Sequence, residues 1–164
     1  MSVTAPQTQT TVQSPSLASS PSSTRFTRSL ATRAVWQVGV LATLAGAIVT
    51  EVFGLIARGV GVPMAAASPG AKEAAEITAG AFVGGVLFWS IPGIVLAVVL
   101  ARWAKRPART FVVITVALTA LSLAGPAVAP HTATSTQVVL ALSHVVAAAV
   151  IIPALARRLA QHRR

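Results

Sequence analysis

Four apolar runs, each near the roughly 20 residues a helix needs to cross about 30 Å of hydrocarbon, constrain this chain more than any other feature. They extend from about Val35 to Ala57, Ile77 to Ala101, Thr110 to Ala127 and Gln137 to Leu155. None alternates apolar and polar residues in the short units of a membrane strand. A helix instead satisfies its own backbone groups, as lipid demands. The expectation is an all-α, four-helix transmembrane bundle over residues 25–164. Only 10% of the residues are charged and the mean hydropathy is +0.75, whereas soluble domains carry about 25% charged residues. The third run is the weakest, because Gly125, Pro126 and Pro130 cut it short.

Residues 1–24 are almost entirely Ser, Thr, Gln, Pro, Ala and Val, with no charge and no apolar run. Such a segment buries too little to offset its ordering entropy and reads as a disordered tail. It is no signal peptide, since the charged-then-apolar order begins only at Arg25, Arg28 and Arg33. Ser68-Pro69 reads as the cap and first turn of the second helix, with Glu73 and Glu76 at its positive end. Pro92 then falls inside that helix and should bend it, as Pro153 should near the end of the fourth. The loop from Arg58 to Glu76 lies on the outer surface or dips back into the bundle.

The net charge of +10 raises nucleic acid as a partner, but the distribution of the cations argues against it. Arg25, Arg28 and Arg33 precede the first run, and Arg102, Lys105, Arg106 and Arg109 join the second and third. Arg157, Arg158, Arg163 and Arg164 follow the fourth, while the other side holds Arg58, Lys72 and His131. Positive charge gathers on the cytoplasmic side, so both termini are expected in the cytoplasm of a plasma-membrane protein. The arginines there meet anionic lipid headgroups. Trp36 and Trp103 fall at the inner boundary, where an aromatic belt belongs.

With that orientation, Glu51 in the first run and His144 in the fourth lie at nearly the same depth, slightly outside the midplane. Ser122 in the third run and Trp89-Ser90 in the second come to similar depths. A bare carboxylate there is costly, so Glu51 must be protonated, paired or wetted. A neutral hydrogen bond between Glu51 and His144, an ion pair and a hydrated pocket all satisfy that requirement, and Ser122 is a further partner. The candidate intramembrane polar site is therefore Glu51, His144, Ser122 and Trp89.

Small residues mark close helix approach: Gly46, Thr50 and Gly54 in the first run, Gly80, Gly84, Ala81 and Gly85 in the second, and Ala147 and Ala148 in the fourth. Thr115, Thr119 and Ser122 form one polar stripe on the third. There is no cysteine, hence no disulfide and no thiolate. No phosphate loop, metal-ligand spacing or nucleophile elbow is present, so no cofactor, metal or catalytic residue is assigned.

The chain resembles a family of small actinobacterial membrane proteins with four helices and no assigned function. The resemblance rests on Ala57-Arg58-Gly59-Val60-Gly61-Val62, Arg106-Pro107-Ala108-Arg109, Ser122-Leu123, and Ser143-His144-Val145-Val146 through Ile152-Pro153, and covers about residues 34–160. It implies an actinobacterial plasma-membrane protein and supplies no catalytic residues. The leading expectation is a non-enzymatic accessory or interaction protein whose partners are anionic lipid and either a second copy of itself or another membrane protein, rather than nucleic acid. The alternative is a small proton-linked transporter or ligand-binding protein using Glu51 and His144.

Overall fold

The computed structural model describes residues 34–67 and 70–161. The tail 1–24, the cations Arg25, Arg28 and Arg33, the Ser68-Pro69 pair, and His162, Arg163 and Arg164 lie outside the described residues. The element order is α1 (Val35–Gly59), β1 (Ala65–Ala66), β2 (Ala75–Glu76), α2 (Ala81–Trp103), α3 (Pro107–Ser122), α4 (Ala124–Ala127) and α5 (Thr134–Gln161). α1, α2, the α3–α4 pair and α5 are each long and apolar enough to cross a membrane. The chain is thus an all-α multi-pass membrane protein.

α1 packs chiefly against α5 and α2, and α3 packs against α5 and α2, giving a four-span ring with α1 and α3 on one diagonal. Neighbours run antiparallel. A Cβ on Gly39 would touch Ile94, one on Gly54 would touch Phe82, and one on Gly46 would touch Ile151. One core cluster, near Val35, draws Ala97, Phe111, Leu155 and Leu159 from the other three spans. A second, near Ala57, gathers Met64 and Val139 with Phe53, Val62, Ile77 and Phe82, and contains no residue of α3.

α2 leaves nearly all its surface uncovered: only Ala97 is buried along its whole length. Phe88, Trp89 and Ile91 are 64%, 73% and 60% exposed. A continuous apolar surface of this extent suits hydrocarbon rather than water as the solvent.

α1 ends where glycine permits it. Gly61 has φ +86°, and its N–H donates to the Arg58 carbonyl (3.0 Å) while Val62 N–H donates to the Ala57 carbonyl (3.1 Å). These two bonds are the 5→2 and 6→1 pair of a Schellman motif, which satisfies orphan carbonyls at a helix end. Val62 then packs beside Ala57 in the second core cluster. Gly61→Ala meets no steric neighbour, so its cost is conformational, about 1 kcal/mol. Gly59→Ala, in the last helical turn, is expected to be neutral or stabilising; thermal unfolding of the two variants in detergent checks the contrast.

The structure corrects the expected start of the second helix. Residues 75–76 are in β2, paired antiparallel to β1 (Ala65 to Glu76, Ala66 to Ala75). Ile77 N–H donates to the Met64 carbonyl at 2.7 Å, and Arg58 donates to Glu76 Oε1 at 3.1 Å and also to the Ile77 carbonyl. These bonds draw the segment into a small cap over the end of α1 and the start of α5, so helix begins only at Ala81, after Gly80 at φ +89°. Glu73 and Glu76 precede that start and do not occupy the helix's first turn. The third span is interrupted at Leu123, between α3 and α4. α2 runs through Pro92 and α5 through Pro153 without losing helical continuity.

Candidate functional site

Gly46, Thr50 and Gly54 lie four apart on α1 and are all buried. Successive helical residues point about 100° apart, so when Thr50 faces inward, at 1% exposure, Glu51 must turn aside. It turns toward α2. Glu51 Oε1 accepts from Gly80 N–H at 2.7 Å, and Oε2 accepts from Val83 N–H at 3.2 Å. These are the cap and third-position amides of α2, two donors that no helical carbonyl can satisfy. No side chain of α2's own caps it; the carboxylate comes from the neighbouring span. It also places negative charge at the positive end of the α2 dipole. The acid that the sequence seemed to offer from Glu73 and Glu76 is thus supplied by Glu51.

Gly46 lies against Ile151 and the Ala147 carbonyl, and extending that antiparallel register by five residues brings Glu51 level with His144. They share a depth but not a bond. His144 Nδ1 lies 2.7 Å from the Leu140 carbonyl one turn back on α5. A carbonyl can only accept, so Nδ1 carries the proton of this bond. Glu51 bonds across to the start of α2, and His144 bonds within α5. Glu51 finds stronger partners in two backbone amides, and His144 finds one in its own helix.

Ser122 also bonds within its own helix, to the Thr119 carbonyl at 2.7 Å. Thr115 and Thr119 do the same, to the carbonyls of Phe111 (2.7 Å) and Thr115 (2.8 Å). So do Thr50, to Gly46 (2.7 Å), and Ser143, to Leu140 (2.6 Å). Thr43 is the exception: its hydroxyl is buried and has no partner among the described residues. Trp89 does not join a polar layer. Its ring packs edge-on against Phe88, with centroids 5.3 Å apart, on the uncovered face of α2. Gly84 and Gly85 likewise meet nothing within 4 Å, so the close approach read from their spacing occurs at Gly39, Gly46 and Gly54 instead.

The Glu51 cap is thus a polar link between two spans, α1 and α2. It escaped a reading that looked for side-chain partners, because its donors are backbone amides with no sequence signature beyond Gly80. The arrangement can hold a helix end. No group of three or more His, Cys, Asp or Glu side chains placed to hold a metal ion is found among the described residues.

No curated protein and no solved structure matches this chain. A family of unknown function does, over residues 30–161, a stretch that takes in all four spans. The chain belongs to that family, DUF6069.

Proposed function

We propose that the chain is a non-enzymatic accessory or interaction protein of the plasma membrane, with both termini in the cytoplasm. The observation that carries this reading is the engagement of Glu51. Both of its carboxylate oxygens hold the start of α2, which gives the acid a structural task. A proton-linked site would need Glu51 and His144 to share a proton path, and each is bonded elsewhere. The orientation is supported by charge. Arg102, Lys105, Arg106, Arg109, Arg157 and Arg158 lie at one end of the bundle, while Glu51, Glu73 and Glu76 are all the acids of the chain and lie toward the other. The interaction role is supported by α2, whose exposed face offers Phe88, Trp89 and Ile91 to whatever packs there.

Because the chain has no cysteine, single cysteines test both parts. Ala71→Cys, in the outer cap, should react with a membrane-impermeant maleimide on intact cells, and Ala160→Cys only after permeabilisation. The reverse pattern would invert the orientation. His144→Cys should stay protected in both conditions, and labelling from outside would favour a water-filled site. Trp89→Cys should give a discrete cross-linked adduct in native membranes. Smeared or absent adducts there would defeat the interaction role.

A further inference from the structure

The turn between α2 and α3 carries a cluster of cations that the protein does not neutralise. Arg106 and Arg109 line a cleft of about 350 Å³ together with Thr110, Val113 and Ile114. The same two arginines border a second cleft of about 280 Å³ on the other side of the turn, with Lys105, Leu159 and Ala160. The chain has only three acids, Glu51, Glu73 and Glu76, and none lies between Ala81 and Gln161. No hydrogen bond or salt bridge engages the side chains of Arg106 or Arg109 among the described residues. Both arginines are exposed, so their guanidiniums are open to an anion from outside the chain.

The helix specifies the form of that anion. Positions 109, 110, 113 and 114 are spaced so that they share one face of α3, and Arg106, the cap residue just ahead of the helix, lines the same cleft. The order along that face is cations and a hydroxyl at the membrane boundary, then Val113 and Ile114 deeper, with Val113 61% exposed. A simple anion would use the first part and leave the second bare. An anion with a hydrocarbon tail uses both. We propose that this cleft binds one anionic glycerophospholipid. Its phosphate sits between Arg106 and Arg109 beside the Thr110 hydroxyl, and one acyl chain lies along Val113 and Ile114. Arginine suits the role because its planar fork pairs with two phosphate oxygens at once. The site goes beyond the proposed function and needs only that the bundle is embedded, so it can fail or stand independently of the orientation and of any protein partner.

The test is a titration of the purified full chain in neutral detergent with phosphatidylglycerol or phosphatidylcholine, read by native mass spectrometry. Phosphatidylglycerol should bind at least about 10-fold more tightly. A cation held against the anionic headgroup is worth a factor of about five, and the effect falls off with distance, so R106Q/R109Q should weaken phosphatidylglycerol by about 25-fold. R102Q/R157Q, which removes equal charge outside both clefts, should change it by no more than about 2-fold. Inorganic phosphate at millimolar concentration should fail to displace the lipid. Equal binding of the two lipids by the unmodified chain would overturn the proposal even if the variants did not fold. So would equal losses in the two double variants, which would indicate a diffuse field, or displacement by inorganic phosphate, which would indicate a free-anion site.

Discussion

Replacing Glu51 by alanine is expected to destabilise the bundle by about 2–3 kcal/mol, with the loss concentrated at the start of α2. Two hydrogen bonds from backbone amides end on this carboxylate, at 2.7 Å and 3.2 Å. Hydrogen bonds to a charged group are worth about 1.5–3 kcal/mol, and loss of a helix cap costs about 0.5–2 kcal/mol. The estimate stays at the lower end of their sum because Glu51 is half-buried rather than enclosed. Glu51→Gln keeps one acceptor oxygen and loses the charge facing the helix dipole, so about 1 kcal/mol is expected. Glu51→Asp, one methylene shorter, should fall between the two because it cannot span both amides. Hydrogen exchange at Gly80 and Val83 should rise in the alanine variant while exchange near Phe111 stays slow. His144→Ala should add to any of these changes within about 0.5 kcal/mol, because groups with no shared partner do not couple. A coupling above about 1 kcal/mol in unfolding measured in detergent would mean that the two side chains meet after all.

The contrast between Glu51 and the spans shows what a one-dimensional pattern carries in a membrane protein. Span existence depends on the length and hydropathy of a run, both local quantities, and the four runs correspond to the four spans. Boundaries depend on what the ends touch. Helix α5 extends from Thr134 to Gln161, beyond the apolar run at both ends. Near its start Thr136 donates to the Pro63 carbonyl, and near its end Leu159 joins the first core cluster. Conversely α2 begins late because Arg58, Met64 and Glu76 hold residues 75–77 in the cap. Depth was legible too, since antiparallel helices of known direction set Glu51 level with His144. Facing was not. Whether position 50 or 51 points inward depends on which neighbours lie on either side of α1, and that is tertiary information. The small-residue patterns divide the same way: Gly46-xxx-Thr50-xxx-Gly54 is buried, whereas Gly84 and Gly85 carry similar spacing and face open space.

Gly54→Ala is therefore expected to damage the fold where Gly84→Ala and Gly85→Ala do not. An ideal Cβ at Gly54 would lie 2.6 Å and 2.7 Å from Cε2 and Cδ2 of Phe82, distances at which either the ring or the helix must move. The ring is not free to yield, since Phe82 packs against the second core cluster beside Phe53 and Ile77. Overpacking of this kind costs about 1–3 kcal/mol, and Gly54→Val should exceed the alanine change. At Gly39 the nearest atom is Ile94 Cγ1 at 2.8 Å, the side of an aliphatic chain that can change rotamer, so Gly39→Ala should cost less. Gly84 and Gly85 have nothing within 4 Å, and alanine there gains up to about 1 kcal/mol of helix propensity. The decisive experiment is a double-mutant cycle. Phe82→Ala alone removes packing from the second core cluster. Combined with Gly54→Ala it also removes the clash, so the double variant should be more stable than the sum of the two single changes by about 1–2 kcal/mol. If the changes simply add, the approach of α1 to α2 at Gly54 is not the contact that sets the spacing of these two helices. The α2 start would then rest on the Glu51 cap alone, and Glu51→Ala would be expected to release it entirely.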